Sequence, residues 1–166
     1  EGIVFSGQPT PVAEVAPDRT FSAYSFSKTY GMAGNRCGYI VGPNPELMQS
    51  VRKATLHHFY SACTASQLAA LSVLQHGQDW LDKAVSSYRD VGYAAADRLG
   101  VPRPEGGTFL FVDVADALDG QGLHGFLVRC IDRGLILAPG SSCGTDYANH
   151  VRVCFTSAPP DVVARG

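Results

Sequence analysis

The spacing of apolar and polar positions changes several times along this 166-residue sequence. Short aromatic and aliphatic runs at 21–27 and 36–42 predict two strands. Apolar residues then recur with helical spacing, which predicts helices over 45–54, 62–76 and 78–99. The first of these helices follows Asn-Pro, an N-cap residue and a first-turn proline.

A segment rich in proline and glycine, 101–107, ends the third helix and begins a second substructure. Its predicted elements are a strand, a helix, a strand, a polar loop and a last strand, at 108–114, 122–133, 135–139, 140–150 and 151–155. A further helix starts at the prolines near the end of the sequence. Strands that alternate with helices predict an α/β architecture.

Composition indicates a soluble globular protein. Apolar residues make up 45% of the chain and charged residues 17%, and the formal charge is -2, which argues against a nucleic-acid partner. No apolar run approaches the roughly 20 residues that cross a bilayer, and the first residues do not resemble a secretory leader. The five cysteines are odd in number, and neither they nor the histidines show metal-ligand spacing. We therefore expect a cytoplasmic protein with reduced thiols, no metal and no membrane partner.

The segment SFSKTYGMAGNRCGYIVG, residues 25–42, places Lys28 between a strand-like run and a glycine-rich turn. A lysine that forms an imine needs a depressed pKa, which burial or a neighbouring cation supplies. Arg36 carries a planar fork suited to phosphate, and Ser25 and Ser27 add hydroxyl donors. These residue types predict an imine-forming amine beside a phosphate site. The alternative is that Lys28 is a solvated loop lysine and Arg36 is a surface residue of a strand.

The same segment resembles the lysine region of fold type I pyridoxal-phosphate enzymes, the class I and II aminotransferases. Their pattern runs Ser-x-x-Lys, a glycine-rich turn and Arg-x-Gly-Tyr. The resemblance implies that Lys28 forms the internal aldimine with pyridoxal 5'-phosphate and later acts as the base at Cα. Ser25 and Arg36 would bind the cofactor phosphate, with Ser27 as a weaker assignment.

The resemblance extends over essentially the whole sequence. It implies a three-layer fold type I transferase, in which 1–76 is the end of the cofactor-binding large domain and 77–166 is the linking helix and the small domain. GGTFLFVDV resembles the small domain's first strand, and HVRVCF resembles the strand whose arginine, here Arg152, clamps the substrate carboxylate. The cofactor's pyridine-binding Asp would lie upstream of Glu1. We therefore expect a fragment of a homodimeric enzyme that acts on an amino acid and a 2-oxo acid.

Two positions depart from the family pattern and leave substrate preference open. Asn35 stands where the family often has Trp, and Cys143 where it often has Phe. Within enzymes, the same lysine chemistry also serves lyases, decarboxylases and cyclising enzymes of amino-acid-derived natural products.

Two readings outside these enzymes also remain open. Some transcription regulators carry an aminotransferase-like sensor domain, and an upstream DNA-binding module would identify one. The run from Ser25 to Lys28 also satisfies S-x-x-K, the motif of penicillin-recognising acyl enzymes. Those enzymes place the serine at a helix start and carry a K-T-G element. Here the preceding run predicts a strand through residue 27, and K-T-G is missing.

Overall fold

The structure is a computed structural model that describes residues 2–166, so Glu1 of the opening segment lies outside the described residues. The chain forms two compact units, one up to Val85 and one from Ser86, and each is described by itself. The division of the sequence at residues 76 and 77 stays a prediction.

The first unit begins with two short turns and then a hairpin, followed by helices. Its elements are α1 (Val12–Val15), a 3-10 turn (Pro17–Arg19), β1 (Ser22–Ser25), α2 (Phe26–Thr29), a 3-10 turn (Ala33–Asn35), β2 (Gly38–Val41), α3 (Pro45–Phe59), α4 (Thr64–His76) and the start of α5 (Gln78–Leu99). Strands β1 and β2 pair antiparallel, with Ser22 opposite Val41 and Ser25 opposite Gly38.

The predicted helices of this unit are confirmed, and their ends have local causes. The side chain of Asn44 accepts hydrogen bonds from the backbone N–H groups of Glu46 (2.9 Å) and Leu47 (3.2 Å), which caps α3 as its Asn-Pro start predicts. Helix α4 ends before Gly77, where a side chain would lie 2.5 Å from the carbonyl oxygen of Val73. The glycine therefore permits the close passage from α4 to α5.

The first strand prediction is wrong at its end. Instead of continuing through residue 27, β1 stops at Ser25, and the next four residues form the one-turn helix α2. The backbone N–H of Phe26 donates to the carbonyl of Cys37 at 3.3 Å, and the Phe26 side chain is buried. The second strand is also shorter than predicted, because Arg36 adopts a left-handed conformation outside β2. At the first point, tertiary contacts of Phe26 override the local alternation.

The second unit contains a three-stranded antiparallel sheet. Its elements are the remainder of α5, β3 (Phe109–Asp113), a 3-10 turn (Ala115–Ala117), α6 (Gly122–Asp132), β4 (Ala138–Pro139), two 3-10 turns (Gly140–Cys143 and Thr145–Tyr147), β5 (His150–Cys154) and α7 (Pro160–Arg165). The strand order is β3-β5-β4, so the last strand in sequence is central. Of the strand predicted over 135–139 only two residues pair, and Ile136 is 84% exposed.

One face of this sheet forms the core of the second unit. Alternate residues Leu110 and Val112 of β3 and Val151 of β5 are buried, as is Phe155 just after β5. Helix α5 packs here through Gly92, where a side chain would lie 2.9 Å from the Phe155 ring. The opposite face of the sheet carries the exposed residues. Among residues 2–166, no helix is both long and apolar enough to traverse a bilayer.

Candidate active site around Lys28

The segment 26–37 is a loop whose two ends are held together by the hairpin. Ser25 is the strand partner of Gly38, and the Phe26 N–H donates to the Cys37 carbonyl. A side chain at position 38 would overlap the carbonyl oxygen of Tyr24, so glycine is required for this close strand approach. The hairpin therefore brings Ser25 beside the end of the loop that carries Arg36.

The start of the loop is anchored in the core of the first unit. The Phe26 side chain is 5% exposed and belongs to a buried cluster with Cys37 and Ala70, against which Tyr30 and Met32 also pack. The carbonyl oxygen of Phe26 accepts the N–H groups of both Tyr30 and Met32 at 3.3 Å. One turn of helix thus fixes the backbone on which the lysine sits.

Lys28 lies on the exposed side of this one-turn helix, two residues after the buried Phe26. Within residues 2–166 no carboxylate pairs with its amine. The amine is therefore attached to an anchored backbone and accessible to a ligand. A reactive amine at a fixed place needs both properties.

Ser25 caps the lysine helix. Its Oγ accepts the backbone N–H of Ser27 at 3.2 Å, which leaves the Ser25 hydroxyl proton available for donation to a ligand. Ser27 itself is half-buried within the helix. Because β1 ends at Ser25, Ser27 lies in the helix and not on the strand that the sequence predicts through residue 27.

Arg36 has an uncommon backbone conformation for a residue with a side chain, with φ 49° and ψ 43°. One guanidinium nitrogen, Nη1, donates to the Ala33 carbonyl oxygen at 2.8 Å, which ties the side chain back to the preceding turn. The guanidinium carries further N–H groups, and the residue is exposed. The arginine therefore has a partly fixed position and free donors for an anion.

These residues fit pyridoxal phosphate. Ser25 and Arg36 offer a free hydroxyl proton and free guanidinium N–H groups, donors that suit a phosphate dianion. Lys28 offers an exposed primary amine on the same loop, which suits an aldehyde. The residue types, the anchoring and the exposure therefore all match the cofactor that the family resemblance implies.

Arg152 lies in the second unit, on the central strand β5, with Phe111 of β3 and Ala138 of β4 as strand partners. Arg152 therefore stands on the central strand and not at an edge of this sheet. Its guanidinium carbon lies 5.4 Å from the centre of the Phe109 ring, a cation-π contact, and no carboxylate in residues 2–166 pairs with it. The side chain is exposed and able to bind a carboxylate.

The two positions that depart from the family pattern occupy different environments. Asn35 ends the 3-10 turn before Arg36, and its backbone N–H donates to the Met32 carbonyl at 3.0 Å. Cys143 is exposed in the second unit, with its sulfur 3.9 Å from the Ser142 hydroxyl.

Sequence reasoning missed the chemical character of Cys63. It is the exposed residue immediately before α4, where the backbone N–H of Ser66 and then that of Ala65 lower the pKa of its thiol. A cysteine at the start of a predicted helix is the signal that identifies such a thiol.

Comparison with known proteins identifies the class. The chain belongs to the family of aminotransferases class I and II, whose model matches residues 1–165. The enzymes of this family depend on pyridoxal phosphate. The resemblance stated from the lysine segment is therefore confirmed, as is the α/β fold class.

Individual relatives agree with this family. The chain is 28% identical over 154 residues to a probable aspartate aminotransferase of Methanocaldococcus jannaschii, covering 87% of this chain and 40% of the relative. It is 30% identical over 160 residues to the arginine–pyruvate transaminase of Pseudomonas aeruginosa, covering 91% and 40%. The chain thus spans about 40% of the length of these curated relatives.

A solved structure shows the same fold. The α-aminoadipate aminotransferase LysN of Thermus thermophilus, complexed with N-(5'-phosphopyridoxyl)-L-leucine, matches with a TM-score of 0.81 at 21% identity. The match covers 99% of this chain and 45% of that one.

The alternative of a penicillin-recognising acyl enzyme is not favoured. Ser25 does stand at the start of a helix, as the serine of those enzymes does. The family match nevertheless favours the aminotransferase.

Proposed function

We propose that this chain carries the lysine-bearing part of a pyridoxal-phosphate-dependent aminotransferase, which transfers an amino group between an amino acid and a 2-oxo acid. The observation that carries the proposal is the loop 26–37. Its ends are held by the Ser25–Gly38 strand pair, and it presents the amine of Lys28 and the guanidinium of Arg36 as exposed groups.

The residues of this loop have separate roles in holding the cofactor. The Ser25 hydroxyl and the Arg36 guanidinium would bind its phosphate, with Ser27 as an additional donor, and the primary amine of Lys28 would hold its aldehyde end. The bound cofactor supplies an electron-withdrawing ring that stabilises negative charge at the substrate Cα. The buried Phe26 keeps the lysine backbone in place during these events.

Lys28 also provides the proton-transfer group. As a free primary amine, Lys28 Nζ would accept the proton from the substrate Cα. The ammonium that results has no carboxylate partner among residues 2–166 to retain the proton. The lysine is therefore free to return the proton in the second half of the reaction.

Arg152 binds the α-carboxylate of the amino acid in this proposal. A guanidinium offers two parallel N–H donors to the carboxylate, and this paired contact fixes the orientation of the substrate Cα and its amino group. The cation-π contact with Phe109 limits the freedom of the side chain before substrate arrives. A lysine at this position offers charge without the two-pronged geometry.

The remaining parts of the proposal concern the whole protein. We infer a cytoplasmic homodimer whose partners are the small-molecule amino acid and 2-oxo acid, without nucleic-acid or membrane partners. The formal charge of -2 and the family membership support these inferences. Size-exclusion chromatography with light scattering on the full-length protein tests the dimer, and a monomeric active enzyme contradicts it.

The test of the function uses the full-length protein and a matched lysine control. The wild type and Lys53→Ala should show the visible absorption of bound pyridoxal phosphate, and an amino acid should change that spectrum and yield the 2-oxo acid. Lys28→Ala should lose both signals. Arg152→Lys should keep the cofactor spectrum while kcat/KM for amino acids falls by several orders of magnitude. Wild-type kinetics in either variant at position 28 or 152 contradicts the assigned role.

A further inference from the structure

The exposed face of the three-stranded sheet has an unusual composition. Because residues alternate along a strand and partners share a face, the side chains of Phe109, Phe111, His150 and Arg152 lie on the side opposite the buried core. Tyr147, in the turn before β5, joins them by ring contacts. We call these five residues the aromatic face.

Three rings of the aromatic face form a compact cluster. The Phe111 and His150 rings are stacked, with centroids 5.0 Å apart and an interplanar angle of 22°. Tyr147 meets both edge-on, at 5.0 Å from Phe111 and 5.5 Å from His150. The Nδ1 atom of His150 is buried without a hydrogen-bond partner among the described residues, and the contacts of this side chain within the cluster are ring contacts. The cluster holds the Phe111 ring in a defined orientation.

The turn that carries Tyr147 is itself tightly packed. A side chain at Gly140 would lie 2.6 Å from the carbonyl oxygens of both Tyr147 and His150. The Tyr147 N–H donates to the Gly144 carbonyl at 3.2 Å. The position of Tyr147 relative to β5 is therefore set by the backbone.

Arg152 lies between apolar rings on this face. Phe109 contacts its guanidinium, and Phe111 is its strand partner on β3. These rings keep exposed surface, with Phe109 47%, Phe111 37% and Tyr147 42% exposed. A molecule whose carboxylate binds Arg152 therefore meets aromatic surface next to that carboxylate.

The charges nearby disfavour a second carboxylate. Strands β3 and β5 and the loop 140–149 between β4 and β5 contain no lysine and no arginine besides Arg152. They contain the acids Asp113, which is the strand partner of His150, and Asp146. A distal carboxylate on the ligand would gain no second cation from these elements and would approach the like charge of their acids.

We propose that the aromatic face selects the substrate class, namely amino acids and 2-oxo acids with a large apolar or aromatic side chain. Arg152 binds the α-carboxylate, and Phe111 and Tyr147 contact the side chain. His150 is a positioning residue that acts by stacking on Phe111. This inference rests on the proposed function, because it needs Arg152 to be the carboxylate ligand.

The experiment measures binding of two unreactive acids to the full-length holoenzyme. The probes are 3-phenylpropanoate, which has an aromatic end, and glutarate, which has a second carboxylate. Their dissociation constants are measured as competitive inhibition constants and from the change in the cofactor spectrum. We expect 3-phenylpropanoate to bind at least tenfold more tightly than glutarate in the wild type.

Variants locate the source of this preference. Phe111→Ala and Tyr147→Ala should each lower the ratio of the two affinities by about tenfold, equivalent to about 1.4 kcal/mol. Phe111→Leu, which keeps most of the volume, should give a smaller loss in the same direction and guards against misfolding of the alanine variant. Ile131→Ala, an exposed residue of α6, is the matched control and should leave the ratio unchanged.

Two results overturn the inference. Glutarate binding as tightly as 3-phenylpropanoate in the wild type contradicts the substrate class. A preserved preference in all variants at Phe111 and Tyr147 contradicts the role of the aromatic face. Both results can be distinguished from failure of the proposed function. The proposed function fails if no amino acid, including alanine, changes the absorption spectrum of the bound cofactor.

Discussion

Gly38→Ala tests whether the strand pair shapes the cofactor loop. A methyl group on this residue would overlap the Tyr24 carbonyl oxygen and lie 3.5 Å from the Ser25 Cα atom, both on the paired strand. Because backbone atoms cannot rotate away, the hairpin must widen. Overpacking of this kind costs about 1 to 3 kcal/mol. The melting temperature should therefore fall, because a destabilisation of this size lowers the midpoint of thermal unfolding.

The same displacement should affect the cofactor. Widening the pair at Ser25 and Gly38 moves Ser25 relative to Arg36 at the other end of the loop. The Ser25 hydroxyl and the Arg36 guanidinium are then no longer placed to bind the same phosphate group. We expect the dissociation constant for pyridoxal phosphate to rise on the order of tenfold, or about 1.4 kcal/mol. The assays are thermal unfolding and cofactor titration of the full-length protein.

Gly34→Ala is the matched control, since no atom beyond residues 33–35 lies within 4 Å of the added methyl group. It lies in the same loop and should change neither quantity. If Gly38→Ala behaves like Gly34→Ala in both assays, the reasoning that strand pairing sets the loop geometry is refuted.

Three further predictions concern single side chains. Arg36→Lys should weaken cofactor binding about 10- to 100-fold in a titration, because a charged hydrogen bond contributes about 1.5 to 3 kcal/mol. Cys63 should react with iodoacetamide faster than the exposed Cys143 in peptide mapping, because backbone N–H groups lower the pKa of its thiol. The hydrogen bonds from Arg103 lower the pKa of Asp97 from its ordinary 3.8. The pair therefore stabilises the fold fully above pH 3.8, and this contribution is lost as the pH falls through the lowered pKa of Asp97. Asp97→Asn should remove that part of the acid dependence in unfolding experiments.

Helices were predictable where the local signals are strong. The helix predicted over 78–99 matches α5 residue for residue, because its apolar repeat runs for several turns between clear ends. The predicted start of α3 is confirmed by the cap at Asn44, although α3 continues to Phe59. The residue that fixes the start of α3 is adjacent in sequence to the helix it caps.

The loop around Lys28 was less predictable, because contacts distant in sequence shape it. Alternation of aromatic and small residues favours a strand through residue 27, but burial of Phe26 and its hydrogen bond to Cys37 turn the chain into a helix. The left-handed conformation of Arg36 has no local signal either, since most such residues are glycine or asparagine. The candidate site residues were found through family resemblance rather than through periodicity.

The central claim is that Lys28 is the residue that binds the cofactor, and peptide mapping after borohydride reduction tests it most directly. The sequence contains Lys28, Lys53 and Lys83, so a single digest of the full-length holoenzyme compares all three. We expect the phosphopyridoxyl mass on the peptide that contains Lys28. The mass on a peptide containing Lys53 or Lys83, with Lys28 unmodified, would contradict it.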